Sequence, residues 1–411
     1  MRESGERRFL VSQKVLNRDE VVRDFVSGRL TRKDAASVLD LSERQLSRQV
    51  KRWRKNGILG LEHKLLGKSP WNQTSAELKE TVLKLLQGKY AGFNLKHFHE
   101  QLVEQEKIQG VSYSTIKRLA REIGISKAKK RRPKIRKNRA RFTQEGFMLQ
   151  MDGSKHVWWN GKECCLIAGI DDATSEVPYG EFFETETLEG YMRVLRRIIE
   201  LKGIPRVVYV DRASWLGGLS KEEKSQFQRI CEELGIRVIF AGSPEAKGRI
   251  ERTWGTLQDR LVSEFRLHKV QSIEAANEYL NSQFLPKTWL KKFTKTAQNP
   301  TLLYRPRPKK QDLDQIFCLK LERKIRKDHT LLFGNEVYAI TAPLRYPIAR
   351  KHAEVRIYLD GGLQAYYGGQ DLEIKALRSS SWERRAKPKT AKGLSPWLRL
   401  LETEYSLNTA S

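Results

Sequence analysis

Three acids stand where strands and a helix could present them together. Asp152 closes the stretch Phe147-Met148-Leu149-Gln150-Met151, and Asp211 closes Val207-Val208-Tyr209-Val210. Glu251 lies near the start of a helix that follows the loop Ser243-Pro244-Glu245-Ala246-Lys247-Gly248. In open α/β sheets, ligands collect at the carboxyl ends of strands. Three carboxylates from separate segments can converge on hard divalent cations. Magnesium takes oxygen ligands, keeps several waters and so pairs with substrate phosphates. Two such ions about 4 Å apart can activate an attacking oxygen and stabilise a leaving one in an in-line phosphoryl displacement. A single acid on a helix surface is ordinarily just solvated, so Glu251 gains meaning only with partners. Asp171 and Asp172, also at a strand end, compete for the ligand role. His156 is a possible proton shuttle, although packing beside Trp158 and Trp159 is its commoner use.

The segments around the acids alternate. Gly146–Asp152 reads as a strand. His156–Trp159 and Glu163–Ile170 read as a hairpin turning at Asn160-Gly161. Val177–Phe183 reads as a third strand, and Leu188–Lys202 as an amphipathic helix ended by Gly203. Val207–Val210 is short and wholly apolar, as expected at the centre of a sheet. Lys221–Leu234 reads as a helix and Arg237–Ala241 as a strand. In the helix of Glu251, the residues Ile250, Trp254, Leu257 and Leu261 recur at helical spacing. They anchor it, while Glu251, Gly255 and Gln258 face outward. The expectation is a mixed sheet with helices on its faces.

Charge points to the partner. The chain of 411 residues carries 78 Lys+Arg against 49 Asp+Glu, a net +29. Such an excess suits a polyanion, because neutralising phosphates releases condensed counterions. Neither a lipid-facing amphipathic helix nor a lipidation motif is found, so no membrane partner is expected. Residues 1–8 lack the apolar core of a secretory signal. The four cysteines form no CxxC pair. A cytoplasmic, nucleoid-associated protein is expected.

The N-terminal half reads as helical. In residues 17–56, three short helices include a third that follows Ser42, which with Gln45 makes a capping box. Leu46, Val50 and Trp53 pack inward, while Arg44, Gln45, Arg48, Lys51 and Arg52 point out. This is the pattern of a helix-turn-helix, whose last helix enters the major groove. A plain helical bundle with a solvated charged face is the alternative, but Arg and Gln are types that read base edges. Ser75–Gln87, Leu95–Lys107 and Thr115–Ile123 suggest a second such unit, possessing Lys117 and Arg118. His97 and His99 lie there without further ligands at zinc spacing. Residues 127–141 hold ten Lys or Arg, a run suited to phosphate contact.

In order, Gln150-Met151-Asp152-Gly153-Ser154, Gly169-Ile170-Asp171-Asp172-Ala173-Thr174, Tyr209-Val210-Asp211-Arg212, Ser243 through Arg252 and Thr256-Leu257-Gln258-Asp259-Arg260-Leu261 resemble the motifs of bacterial insertion-sequence transposases. These are DDE enzymes with a retroviral-integrase-like, ribonuclease-H-like core. The resemblance covers roughly residues 18–370. It implies that Asp152, Asp211 and Glu251 are catalytic and hold two Mg²⁺ ions, which Mn²⁺ can replace. It implies that the Asp171-Asp172 turn is structural. It also implies metal-dependent strand cleavage and strand transfer on double-stranded DNA, by a homodimer or higher assembly. Lys247, Arg249 and Gln258 are expected DNA contacts. Gln258 departs from the basic residue that retroviral integrases carry at its place.

The expected architecture is therefore multidomain. Residues 1–58 form a helix-turn-helix domain, 59–74 a linker, 75–125 a second helix-turn-helix domain, 126–143 a basic linker and 144–285 the catalytic core. Residues 286–327 form another basic linker, 328–378 a small β-barrel and 379–411 a tail with a short helix near Trp397–Glu404. Two alternatives stay open. One is a non-catalytic DNA-binding regulator descended from a transposase, and the other is a metal-dependent nuclease on the same fold.

Overall fold

The computed structural model describes residues 12–63, 74–125, 140–159, 161–211, 225–240, 248–333, 336–341 and 348–377. Most of the expected 59–74 linker, most of the 126–143 run, the turn residues Asn160, Gly334 and Asn335, Lys247 and the tail lie outside them. The chain forms two compact units that divide between Glu80 and Thr81.

In the first unit, helices α1 (Gln13–Val26), α2 (Arg32–Val38) and α3 (Glu43–Asn56) follow one another, and a 3-10 turn, Gly57–Leu61, closes the set. Thr31 accepts the Asp34 N–H at the start of α2, and Ser42 and Gln45 form the reciprocal capping box of α3. Val15, Val22, Ala35, Ala36, Leu46, Val50 and Leu61 make the core. Trp53 is half-buried at its edge, and its indole N–H donates to Asp19 at 2.6 Å.

Helix α4 (Ala76–Gln87) crosses the division, and α5 (Leu95–Glu104) and α6 (Tyr113–Glu122) belong to the second unit. The sheet of that unit contains β1 (Met148–Trp159), β2 (Lys162–Asp171) and β3 (Tyr179–Phe183), then, after α7 (Leu188–Lys202), β4 (Val207–Val210). Helix α8 (Gln226–Glu233) leads to β5 (Arg237–Phe240). The order is β3-β2-β1-β4-β5, with β4 parallel to β1 and to β5 and the other pairs antiparallel. This is the expected mixed sheet. Along β2 the side chains alternate. Cys164, Leu166, Ala168 and Ile170 join one apolar layer, while Cys165 and Ile167 join the other. The adjacent cysteines thus belong to opposite faces. All four cysteines are free and buried, and burial pushes the Cys164 and Cys165 thiols up to about 12.

One expectation needs correction. Residues 146–159 are not a strand followed by a separate hairpin arm. β1 runs unbroken through Gly153-Ser154, which pair with Ile167 and Leu166. Gly153 serves a close approach rather than a turn, because a Cβ there would lie 2.8 Å from the Glu186 carboxyl. Asp152 is therefore inside a strand, two residues beyond the last one paired with β4.

Helix α9 (Ile250–Leu267) covers one face of the sheet. Ile250, Trp254, Leu257, Leu261 and Phe265 are all buried against β2 and β3 side chains such as Leu166 and Phe182. Each such side chain stabilises by roughly 1.5–3 kcal/mol. Helix α10 (Ile273–Tyr279) continues into the π-helical segment Leu280–Trp289 and seals the β3 edge. Asn277 accepts the Phe182 N–H at 2.6 Å and donates to its carbonyl, and one turn on Asn281 donates to the Gly180 carbonyl at 2.8 Å. Two side-chain amides replace a missing strand. Asn277→Ala orphans a backbone N–H and is expected to cost about 1–3 kcal/mol, read as a lowered melting temperature.

Helix α5 packs on α9 through buried polar groups. His97 Nε2 lies 2.6 Å from Glu264 Oε1, Gln101 donates to the same oxygen at 2.8 Å, and Tyr279 donates to Glu264 Oε2 at 2.9 Å. Arg260 and Glu100 pair beside them at 2.5 Å. Burial pushes the Glu264 carboxyl up, but His97, Tyr279 and His268 outweigh it and hold it below the usual glutamate range. A depressed folded pKa contributes stability above the unfolded value of about 4.3 and loses it as pH falls through the folded value. Thermal melts between pH 6 and pH 3 should therefore show a larger loss for the natural chain than for Glu264→Gln.

Farther on, α11 (Lys310–Ile316) precedes β6 (Cys318–Lys324), β7 (Thr330–Phe333), β8 (Glu336–Ile340), β9 (His352–Tyr358), β10 (Leu363–Tyr367), β11 (Gln370–Leu372) and β12 (Ile374–Leu377). They form a four-stranded sheet, β11-β10-β9-β6, and a three-stranded sheet, β12-β8-β7. Among the described residues these are two sheets and not a closed barrel. Successive strands β6 and β7 do not pair, because the chain turns a corner at Ile325, whose N–H is held by the Lys351 carbonyl. Leu319, Val355, Ile357, Leu331 and Phe333 share one core with the α7 face of the large sheet. No helix among the described residues is long and apolar enough to cross a membrane.

Candidate active site

Asp152 lies in β1, and Asp211 directly follows β4, the parallel neighbour of β1. The β1–β4 pairing ends at Gln150 opposite Tyr209, and two residues farther along each chain stand Asp152 and Asp211. Each acid thus follows the carboxyl end of its paired segment. Asp211 is exposed and Asp152 half-buried. Glu251 is exposed in the first turn of α9.

That helix is tied to the strand of Asp152 at two points. The Trp254 indole N–H donates to Asp152 Oδ2 at 3.1 Å, and the Gln258 amide donates to Ser154 Oγ at 2.9 Å. Asp152 and Ser154 share one face of β1, and Glu251, Trp254 and Gln258 recur at three- and four-residue steps on α9. Gly255 is exposed, with open space where a side chain would stand. The donor types fit magnesium, since all three are carboxylates from separate elements. Among the described residues, however, no three His, Cys, Asp or Glu side chains are grouped to hold an ion. The segments that flank the acids, 212–224 and 241–247, are outside the described residues.

The Asp171-Asp172 turn is built into the framework. Asp171 Oδ1 accepts from the N–H groups of Ala173 and Thr174, and its Oδ2 accepts from Gly146 at 2.8 Å. Gly146 has φ 82° and packs so close to the Tyr304 backbone that no Cβ fits. Burial holds the Asp171 carboxyl above the usual range despite these bonds. Asp172 accepts from Gln150 at 2.5 Å and from the Phe142 N–H at 2.9 Å, and it pairs with the Arg249 guanidinium. Both side chains of that ion pair are largely buried. Arg249, an expected DNA contact, is turned into the protein and fixes the start of α9. His156 packs edge-on to Trp158 at 5.3 Å.

The other expected contacts fall on two helices. On α3, Arg44, Gln45, Arg48 and Lys51 are exposed and Arg52 is half-buried. Gln45 uses its side-chain oxygen in the capping box. On α6, Arg118 is exposed and Lys117 is half-buried, its ammonium 5.8 Å from the Tyr113 ring, with Lys96 at 5.7 Å. His97 and His99 serve packing and hydrogen bonding.

Comparison with known proteins bears on this arrangement. A helix-turn-helix domain model matches residues 18–70. A putative transposase y4bF of Sinorhizobium fredii is 29% identical over 374 residues, covering 89% of this chain and 81% of the relative. The transposase for insertion sequence IS1202 of Streptococcus pneumoniae is 28% identical over 428 residues, covering 90% of this chain and 89% of its own. The chain is a relative of bacterial transposases. Its first unit is a helix-turn-helix domain, as the capping box and the charged α3 face lead one to expect. The catalytic core domain of HTLV-2 integrase in complex with magnesium covers 38% of this chain at 19% identity, with a TM-score of 0.31, a likeness too slight to carry an argument. Two contacts of this transposase relative left no signal in the sequence: Trp254 on Asp152 and Arg249 on Asp172. Each joins residues far apart in the chain, 102 and 77 positions respectively.

Proposed function

We propose that the protein is a DDE transposase, which binds the ends of a mobile DNA element, cuts a strand and joins the exposed 3′-hydroxyl to a target phosphodiester. The observation that carries this reading is the parallel pairing of β1 with β4, which puts Asp152 and Asp211 each two residues past the last pair, with the helix of Glu251 tied to the strand of Asp152. Its transposase relatives support it over nearly the whole chain. Asp152, Asp211 and Glu251 hold magnesium, which when bound supplies Lewis acidity to the attacking and leaving oxygens of an in-line transfer. Two ions per site suit both steps, and manganese can substitute. The protein's own residues set the geometry. The β1–β4 register aligns the two aspartates, Trp254 and Gln258 fix the helix, and Arg249 with Asp172 fixes where that helix starts.

The five-stranded mixed sheet supports a ribonuclease-H-like core at 144–285. The domain at 1–58 reads the element ends through Arg44, Gln45, Arg48, Lys51 and Arg52. Residues 75–125 act as a second reader through Lys117 and Arg118, and Lys247 and Gln258 meet DNA near the cut. The segments 59–74 and 126–143 are linkers and 379–411 is a tail, whereas 286–327, expected as a linker, carries α11 and β6 and joins the core through Leu313, Phe317 and Leu319. The strands at 328–378, together with β6, make the two C-terminal sheets. Joining two ends requires a homodimer or larger assembly on DNA, in the cytoplasm at the nucleoid. The test supplies duplexes carrying the DNA that borders the gene, with Mg²⁺. Cut 3′ ends joined to a second duplex are expected. Cutting without joining would favour a nuclease, and binding without cutting a regulator.

A further inference from the structure

We propose that Trp254 is a positioning residue for the Asp152 carboxylate, an inference that rests on the catalytic reading of Asp152 above. The indole N–H is a donor only, and it reaches Asp152 Oδ2 at 3.1 Å. Trp254 is 7% exposed and belongs to the apolar layer of Trp158, Leu166, Leu257 and Leu261. A ring packed in that way cannot swing, so the N–H is presented at a fixed point. One turn later the Gln258–Ser154 bond registers the helix against the same strand, so the ring cannot slide along β1 either. The two bonds meet alternate residues of one strand face. The first holds the Asp152 carboxylate and the second holds the helix of Glu251 in register with the same strand.

The position calls for two properties that rarely coincide. It needs a large apolar body to fill the layer beneath the sheet, and a single polar hydrogen at its rim. Leucine or phenylalanine supplies only the first, and asparagine only the second. Tryptophan supplies both. Groups that orient a ligand carboxylate typically cost about 10–100-fold in metal affinity or activity when removed.

The experiment uses the full chain and Trp254→Phe, which keeps an aromatic body and deletes the N–H. Mn²⁺ binding is read calorimetrically without DNA, and the Mg²⁺ concentration for half-maximal strand cleavage is read on the bordering DNA. The expected result is metal binding weaker by about tenfold or more, with DNA-end binding unchanged. Trp254→His, which keeps a ring N–H, should restore most of the affinity. Metal binding at the natural level in folded Trp254→Phe overturns the inference. If Trp254→Phe does not fold, Trp254→His decides, with near-natural affinity supporting the role and a tenfold loss overturning it. Asp152→Asn is the control for the parent reading. Metal binding that survives Asp152→Asn sinks that reading, whatever Trp254 does.

Discussion

Asp152→Asn is expected to abolish strand cleavage and joining while leaving the protein folded and bound to its DNA ends. The substitution is nearly isosteric, and the asparagine oxygen can still accept the Trp254 N–H, so the tie between α9 and β1 survives. What is lost is the charge. A carboxylate that helps hold a Lewis-acidic cation supports several kcal/mol of transition-state stabilisation, and losing about 4 kcal/mol slows the step roughly a thousandfold. The check is paired. Nicked and joined products are quantified on labelled ends, and binding to the same ends is measured by mobility shift without metal. Loss of products with intact binding matches the account. Loss of both would mean that Asp152 supports the fold instead.

Arg249→Met should have the largest effect on stability, up to about 3–5 kcal/mol, because it breaks a buried ion pair. The Asp172 side chain is fully buried and the Arg249 side chain 12% exposed, so solvent cannot replace the guanidinium. Asp172 would keep its bonds from Gln150 and Phe142 and the field of Arg141 but lose its ion pair. Arg249→Lys keeps the charge but not the planar fork, so it should lose less. Denaturant unfolding of the three proteins gives the order natural, lysine, methionine. Since Glu251 lies two residues beyond Arg249, cleavage by Arg249→Met should fall even where it remains folded. If Arg249 instead acts mainly on DNA, stability will be unchanged and only end binding will fall.

What could be read in advance follows from the range of each signal. The capping box of Ser42 and Gln45, the stop at Gly203 and the Ile250–Trp254–Leu257–Leu261 face are local patterns, and all stand in the structure. Gly153-Ser154 misled because glycine and serine mark turns locally, whereas here the cross-strand ladder to Ile167 and Leu166 overrides them. Arg249 looked like a phosphate contact because arginines beside an active-site acid usually are. Its partner, Asp172, is brought near only by the folded sheet. The same holds for Trp254, which reads as one more member of an apolar face and also holds a hydrogen bond that periodicity cannot reveal. Asp211 follows a strand end that local pattern could mark, but Asp152 lies inside β1, and the parallel pairing of β1 with β4 that relates the two belongs to the folded sheet.

The most direct test of the central claim is the position of Mn²⁺ in the protein assembled on its DNA ends, located by anomalous scattering. The account predicts Mn²⁺ bound between Asp152 and Asp211, with Glu251 completing the ligands, and no such density in Asp152→Asn. Mn²⁺ held elsewhere, or retained at that place in Asp152→Asn, would contradict it.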